Sequence, residues 1–254
     1  MSTKPIRAVA VIELGNCRQT PDSHPAAKFA ERNLKGQSLI GRMVRRLSES
    51  PLVKEIVISG EQLPTTILTA GIPGALILDL PHTHVIERLA AAADRTDADW
   101  VVFLPGNRPF VDPVLIDRLL SEAGRATDCD YVGFFSARGG WQRMQHLGLA
   151  GEICHADALR RLRRNLDRMT KTTECMSLSA WFQDAPGVYQ MRFIPVPVEL
   201  DRSDLRFAIE CERDWDNAQV LCDSIASDET QWQPLADIAI GNADLLASME
   251  ARVS

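Results

Sequence analysis

A series of short apolar runs, each followed by an amphipathic stretch, constrains this chain more than any other feature. Ile6 to Leu14 (IRAVAVIEL) is β-branched and apolar without a polar face, as a strand buried on both sides must be. Val53 to Ser59, Ala75 to Leu80, Trp100 to Leu104 and Tyr131 to Ser136 repeat the pattern. Between them, Ser38 to Glu49 places Leu39, Ile40, Met43, Val44 and Leu47 on one helical face, with Ser38 as N-cap. Val85 to Ala93 and Val114 to Ala123 read as further helices, the latter opened by Asp112 as cap and Pro113 in the first turn. Strands alternating with helices imply parallel β-α-β units with right-handed crossovers. The expected fold class is α/β, a three-layer α/β/α arrangement around a mostly parallel, mixed sheet.

The second half is less regular. Gly151 to Cys154 reads as a short strand and His155 to Arg168 as a basic helix. Tyr189 to Val198 alternates in part and predicts an antiparallel strand, placed at an edge by its prolines. Glu212 to Ile225 predicts a helix whose apolar face carries Trp215, Ala218, Val220, Leu221 and Ile225, and Pro234 to Val253 a helical tail. No repeat, low-complexity block or linker divides the sequence, so residues 1–254 are expected to form a single domain.

Composition narrows the function classes. The formal net charge of -6 argues against binding nucleic acid, whose phosphates require clustered Lys and Arg. One local basic run exists, Arg160-Arg161-Leu162-Arg163-Arg164, and a solvated helix face explains it more simply than an anion site. The six cysteines occur singly, without the paired spacing of a zinc site. No apolar run approaches the roughly 18 residues that cross a bilayer, and no secretory signal is evident, so reduced thiols in a cytoplasm and no membrane association are expected.

Ligands of open α/β sheets sit beyond the carboxyl ends of the strands. That rule directs attention to Gly15–Lys28, Pro105–Pro109 and the segment after Ser136. Within these loops Lys28 followed by Gly36-Gln37-Ser38-Leu39-Ile40, Gly106-Asn107-Arg108-Pro109-Phe110-Val111-Asp112-Pro113, Gly148-Leu149-Ala150-Gly151-Glu152-Ile153, Glu174-Cys175-Met176-Ser177, and Leu205-Arg206-Phe207-Ala208-Ile209-Glu210-Cys211-Glu212-Arg213-Asp214 occur in that order. In this order the fragments resemble the cytidylyltransferases of the GT-A-like nucleotidyltransferase fold, of the CMP-sugar synthetase and spore-coat polysaccharide type. The resemblance spans Ile6 to about Ile225 and leaves residues 226–254 outside it.

The resemblance implies a nucleotide-diphospho-sugar transferase-like fold and nucleotidyl transfer from CTP to a sugar acid, for surface polysaccharide synthesis. It implies Lys28 and Arg18 as catalytic cations at the triphosphate. It implies Arg108, Gly106, Gly148 and Glu152 as substrate-binding residues, Asn107 and Glu210 as ligands of Mg²⁺, and a homodimer. The chain departs from the family pattern in three places. The first loop is longer, with its arginine displaced to Arg18 and Asp22, Ser23 and His24 in the middle. Asn107 and Glu210 stand where the family has aspartates, although Mg²⁺ favours hard anionic oxygens. Cys175 replaces a histidine.

Each residue also has a simpler account. Lys28 could be a solvated lysine, Asn107 a turn residue, Arg108 a partner in a local ion pair, and Glu152 a buried partner for an arginine. Glu210 and Asp214, four residues apart, could stabilise a helix start. His82 and His84 could ligate a metal or lie on the surface, and Cys175 could be a packed thiol. Two functions stay open on the sequence: an active cytidylyltransferase, and a degenerate relative that binds a nucleotide, a sugar or a protein.

Overall fold

The computed structural model describes residues 6–15, 28–61, 63–81, 83–126, 128–138, 140, 143–166, 177–184, 187–225 and 231–250. Its strands are β1 (Ala8–Glu13), β2 (Asn33–Leu34), β3 (Gln37–Ser38), β4 (Val53–Gly60), β5 (Leu76–Asp79), β6 (Trp100–Pro105), β7 (Tyr131–Phe135), β8 (Glu152–His155) and β9 (Met191–Pro195). The helices are α1 (Leu39–Ser48), α2 (Thr65–Ala70), α3 (Val85–Thr96), α4 (Pro113–Arg125), α5 (Arg143–Leu147), α6 (Ala156–Arg164), α7 (Leu178–Gln183), α8 (Glu212–Ser224), α9 (Trp232–Gly241) and α10 (Ala243–Glu250).

Seven strands form one sheet in the order β5-β4-β1-β6-β8-β7-β9, while β2 and β3 make a small hairpin. Pairing is parallel except along both sides of β8, which runs against β6 and β7. All six residues of β1 are buried, and their alternation divides the core. Ala8, Ala10, Ile12 and Leu14 face a layer built from α1, α4, α8 and α9. Val9 and Val11 face α3, α6 and α7. The sheet therefore has a covered face on each side, as the unbroken apolar runs require.

The order of the strands fixes the place of a ligand crevice. From β1 the chain steps outward to β4 and β5, then returns through α3 to β6 on the other side of β1. The β1/β6 boundary is thus a topological switch point, where loops diverge above the carboxyl edge. Leu14 and Gly106 flank that boundary, and the Gly106 amide donates to the Glu13 carbonyl at 2.9 Å.

Several elements differ from the sequence expectation. The strand predicted over Tyr189 to Val198 is β9, which lies at the expected edge but pairs parallel to β7. The chain between Ser136 and β9 carries α5, β8, α6 and α7, and so returns β9 in the same direction as β7. Val220, expected on the buried face of α8, is 44% exposed. The helix over residues 155–168 is described as Ala156–Arg164, and the tail divides into α9 and α10 around Asn242.

Asp112 binds three of these elements together. As N-cap of α4 its Oδ1 accepts from the amides of Val114 at 2.9 Å and Leu115 at 3.1 Å. Its Oδ2 accepts from the Trp232 amide at 2.9 Å, where α9 begins, and Arg46 of α1 lies 3.8 Å from the same oxygen. The side chain is wholly buried, so each lost bond leaves an amide without water. Replacing Asp112 by Ala is expected to lower stability by about 2–4 kcal/mol, the loss of one cap plus one stranded buried donor. Chemical denaturation of both proteins measures this. A change below about 1 kcal/mol would place Asp112 among ordinary helix caps.

Candidate functional site

At the switch point, Glu13 ends β1 and is 1% exposed. It would be an isolated buried charge without Arg88 of α3, whose guanidinium reaches Oε1 at 2.7 Å and both carboxylate oxygens through Nε at 3.2 Å. The Gly15 amide also donates to Glu13 Oε1 at 2.8 Å, and Arg88 Nη1 donates to the Thr83 carbonyl. Burial pushes the Glu13 carboxyl above its ordinary range, with Arg88 opposing. The pair anchors the last described residues before the segment 16–27. Arg18, Asp22, Ser23 and His24 lie outside the described residues, as do His82, Glu174 and Cys175.

Across the switch point, the segment Leu205–Glu210 lies over the carboxyl edge. Its amides bind the neighbouring loops: Phe207 to the Leu147 carbonyl at 3.2 Å, Ala208 to His146 at 3.4 Å, and Ile209 to Asn107 at 2.9 Å. Gly148 makes this approach possible. Its φ is +71°, and a Cβ there would lie 2.4 Å from the Ala208 nitrogen. Any side chain would separate the two backbones. A Cβ on Gly106 would meet the Leu14 side chain at 2.2 Å. Gly148, expected at substrate, is thus required by packing, whereas at Gly106 the first obstacle is the tip of the Leu14 side chain.

Asn107 is 3% exposed, and its Oδ1 has no hydrogen-bond donor among the described residues. Glu210 is 2% exposed, but its oxygens are engaged: Oε1 lies 3.2 Å from His146 Nδ1, and Oε2 accepts from Arg206 Nη2 at 2.6 Å. Arg206 Nε also donates to Asp214 Oδ1 at 3.0 Å. Asp214 Oδ2 accepts from the amides of Glu210 and Cys211 at the start of α8, at 2.8 and 3.1 Å. Burial alone would raise the Glu210 carboxyl, yet His146 and Arg206 hold it below its usual range. The two carboxylates raise the Arg206 guanidinium against the opposing effect of burial.

This donor set does not suit a divalent cation held by protein ligands. It offers one neutral oxygen and one carboxylate already neutralised by a guanidinium, where Mg²⁺ favours anionic oxygens. Among the described residues no group of three or more His, Cys, Asp and Glu is placed to hold a metal. His84 instead caps α3, its Nδ1 accepting from the Ile86 amide at 3.2 Å.

Arg108 and Glu152 come together, but inside the protein. They line a cavity of about 20 Å³ with Tyr131, Leu147 and Val196, room for one water. Arg108 is 2% exposed; Nη1 donates to the Ala150 carbonyl, while Nε has no partner among the described residues. Burial lowers its pKa to about 10, against the attraction of Glu152 and Glu210. Glu152 accepts from Tyr131 Oη at 2.7 Å, Ser177 Oγ at 3.1 Å, and the Leu178 and Ser179 amides at 2.9 Å each. It caps α7, and no ion pair with an arginine is found among the described residues.

Lys28 is not part of that cavity. It faces solvent beside α8, with Nζ 3.1 Å from Glu212 Oε1. The basic run on α6 is likewise occupied: Arg160 binds Asp94 and Asp157, and Arg161 binds Asp130. Sequence reasoning missed Glu13, Arg88, Arg32, His146 and Glu212. Glu13 carried a signal, a charge at the end of an apolar strand; the others depend on tertiary pairing.

No helix among the described residues is long and apolar enough to cross a membrane. The chain is similar to the spore coat polysaccharide biosynthesis protein SpsF of Bacillus subtilis (strain 168), 23% identical over 138 residues, which are 54% of this chain and 53% of that protein. It spans about half or less of the length of the curated relatives it matches. Among solved structures, it resembles a cytidylyltransferase from Leptospira borgpetersenii serovar Hardjo-bovis (strain JB197), with a TM-score of 0.73 and 16% identity over 95% of this chain and 96% of that one. A CMP:2-keto-3-deoxy-manno-octonic acid synthetase complexed with CTP gives a TM-score of 0.60 and 14% identity, covering 85% of this chain and 98% of that one. These likenesses show the α/β nucleotidyltransferase fold. The family model described as the MobA-like NTP transferase domain matches residues 30–182, more than half of the sequence, and the chain belongs to that family.

Proposed function

We propose that this protein transfers a cytidylyl group from CTP to an acidic sugar and releases pyrophosphate. The observation that carries the reading is a convergence at the β1/β6 switch point. The cationic turn at Lys28 is joined to α8 through Glu212, and the same segment is joined to the end of β6 through Ile209 and Asn107. That a cationic turn and a polar strand end share the edge where open α/β sheets take ligands supports a phosphate-binding role for Lys28. The base and the acceptor are suggested by the relatives, whose names include a cytidylyltransferase and a synthetase acting on a 2-keto sugar acid.

In such a transfer the sugar oxygen attacks the α-phosphorus in line, and the protein positions the reactants and neutralises charge. Lys28 supplies charge at the triphosphate. Arg108 works from behind the site, holding the Ala150 carbonyl while its buried charge acts through a poorly screened interior. Gly106 and Gly148 set the backbone that substrate would meet. No step is assigned to a protein-bound metal.

A second reading is favoured by Glu210. Its neutralisation by Arg206 and the neutral Asn107 fit a protein that binds nucleotide with little turnover. Pyrophosphate release decides between them. With CTP present, adding 2-keto-3-deoxy-manno-octonic acid is expected to raise the rate at least about tenfold over a neutral hexose, as correct acceptor positioning should. Nucleotide binding without acceptor-dependent release would support the binding module instead.

Asn107→Asp adds an anionic oxygen near Glu210. Titration of CTP complexes with Mg²⁺ is expected to show tighter binding by the variant than by the native chain, because a full charge is added near the cation. Equal affinities would mean that residue 107 serves only the turn.

A further inference from the structure

Lys28 does not hold Glu212 alone. Arg32 Nη1 lies 2.6 Å from Glu212 Oε2, while Lys28 Nζ lies 3.1 Å from Oε1, so each oxygen of one carboxylate has its own cation. Arg32 is fixed in place from behind. Its guanidinium lies 4.0 Å from the ring centroid of Trp215 and 5.3 Å from that of Phe29. Those two rings stack at 5.9 Å, and both are rooted in the core, at 2% and 0% exposure. A guanidinium stacked on an aromatic face keeps its donor edge free for an anion. Lys28 Nζ lies 5.5 Å from the Phe29 ring.

The carboxylate between them is the most exposed of the three side chains. Glu212 is the first residue of α8 and its side chain is 54% exposed, so a rotamer change can carry it into solvent. The two cations hold its carboxyl below the ordinary range, Arg32 contributing first. Lys28, Arg32 and Glu212 together leave one unit of positive charge. A polyphosphate brings several negative charges and more acceptor oxygens than one carboxylate offers.

We propose that Lys28 and Arg32 form a two-cation cradle for the polyphosphate of the nucleotide, and that Glu212 is its internal placeholder anion, displaced on binding. The inference rests on the nucleotidyl-transfer reading and adds Arg32 and Glu212 to it. It makes nucleotide affinity the outcome of a competition between phosphate and a carboxylate of the same chain.

Calorimetric titration of the full chain with inorganic tripolyphosphate, and separately with CTP, tests it. Glu212→Gln removes the competitor and is expected to tighten both about threefold, the scale of an exposed ion pair. Arg32→Gln is expected to weaken both about tenfold, as loss of a charge-assisted contact should. Arg32→Lys, which keeps the charge but not the fork, should fall between. In the Arg32→Gln background, Glu212→Gln should bring little gain, and thermal melts confirm that each variant is folded. Equal affinity of the native protein and Glu212→Gln would overturn the placeholder. CTP binding indifferent to both substitutions would overturn the cradle and leave the transferase reading standing. Tripolyphosphate binding that follows the expected pattern, with no response to the nucleoside, would uphold the cradle and sink the CTP reading. Absence of binding by either ligand would end both.

Discussion

The docking of Leu205–Glu210 across the strand ends is the contact on which the candidate site depends. Backbone amides of Phe207, Ala208 and Ile209 reach carbonyls of residues 147, 146 and 107, and the approach is close enough that only glycine fits at position 148. Hydrogen bonds of this kind are directional and, once buried, costly to leave unmade. The segment is therefore set in position, and with it the start of α8. Arg206, Glu210, Glu212 and Asp214 all take their places from that docking. The cationic turn at Lys28 and Arg32 is joined to that segment through Glu212 and through the stacking of Phe29 on Trp215.

Electrostatics at this edge is arranged by pairing. Glu13 with Arg88, and Arg206 with Glu210 and Asp214, set interior carboxylates beside guanidinium groups. A buried charge without such a partner costs several kcal/mol. The same pairing lowers the appetite of the site for a cation, since Glu210 is already matched. Arg108 is the exception. It is buried, bound by a neutral carbonyl, and depressed to about 10 in pKa. It lies by the end of β6 and the start of β8, where Glu152 and Glu210 offset part of its charge.

Much of the fold was legible in the sequence, because burial on both faces of a parallel sheet writes itself as unbroken apolar runs. The helices capped by Ser38 and Asp112 were legible for a local reason, since caps act within one turn. The direction of β9 was not: its alternation reports one exposed face, and direction depends on how many elements intervene. Short helices such as α2 and α7 carry too few turns for a periodic signal. The site divides in the same way. Positions of Lys28, Asn107 and Glu210 along the edge follow from loop order, while their partners do not. That Glu210 faces Arg206 and Glu152 caps α7 are facts of three-dimensional pairing, which spacing along a chain does not encode.

These features describe a nucleotidyltransferase fold whose sheet edge holds Lys28 and Arg32 around Glu212, with the neutral Asn107 and an arginine-paired Glu210 beside them. On the proposed function, the switch-point edge binds a pyrimidine nucleoside triphosphate, specifically CTP. Calorimetric titration of the native chain with CTP, UTP, GTP and ATP, each with and without Mg²⁺, tests it most directly. The account predicts saturable binding of CTP in preference to the other three, with affinity changed little by omitting the metal. Equal affinity for all four nucleotides, or binding that vanishes without Mg²⁺, would contradict it.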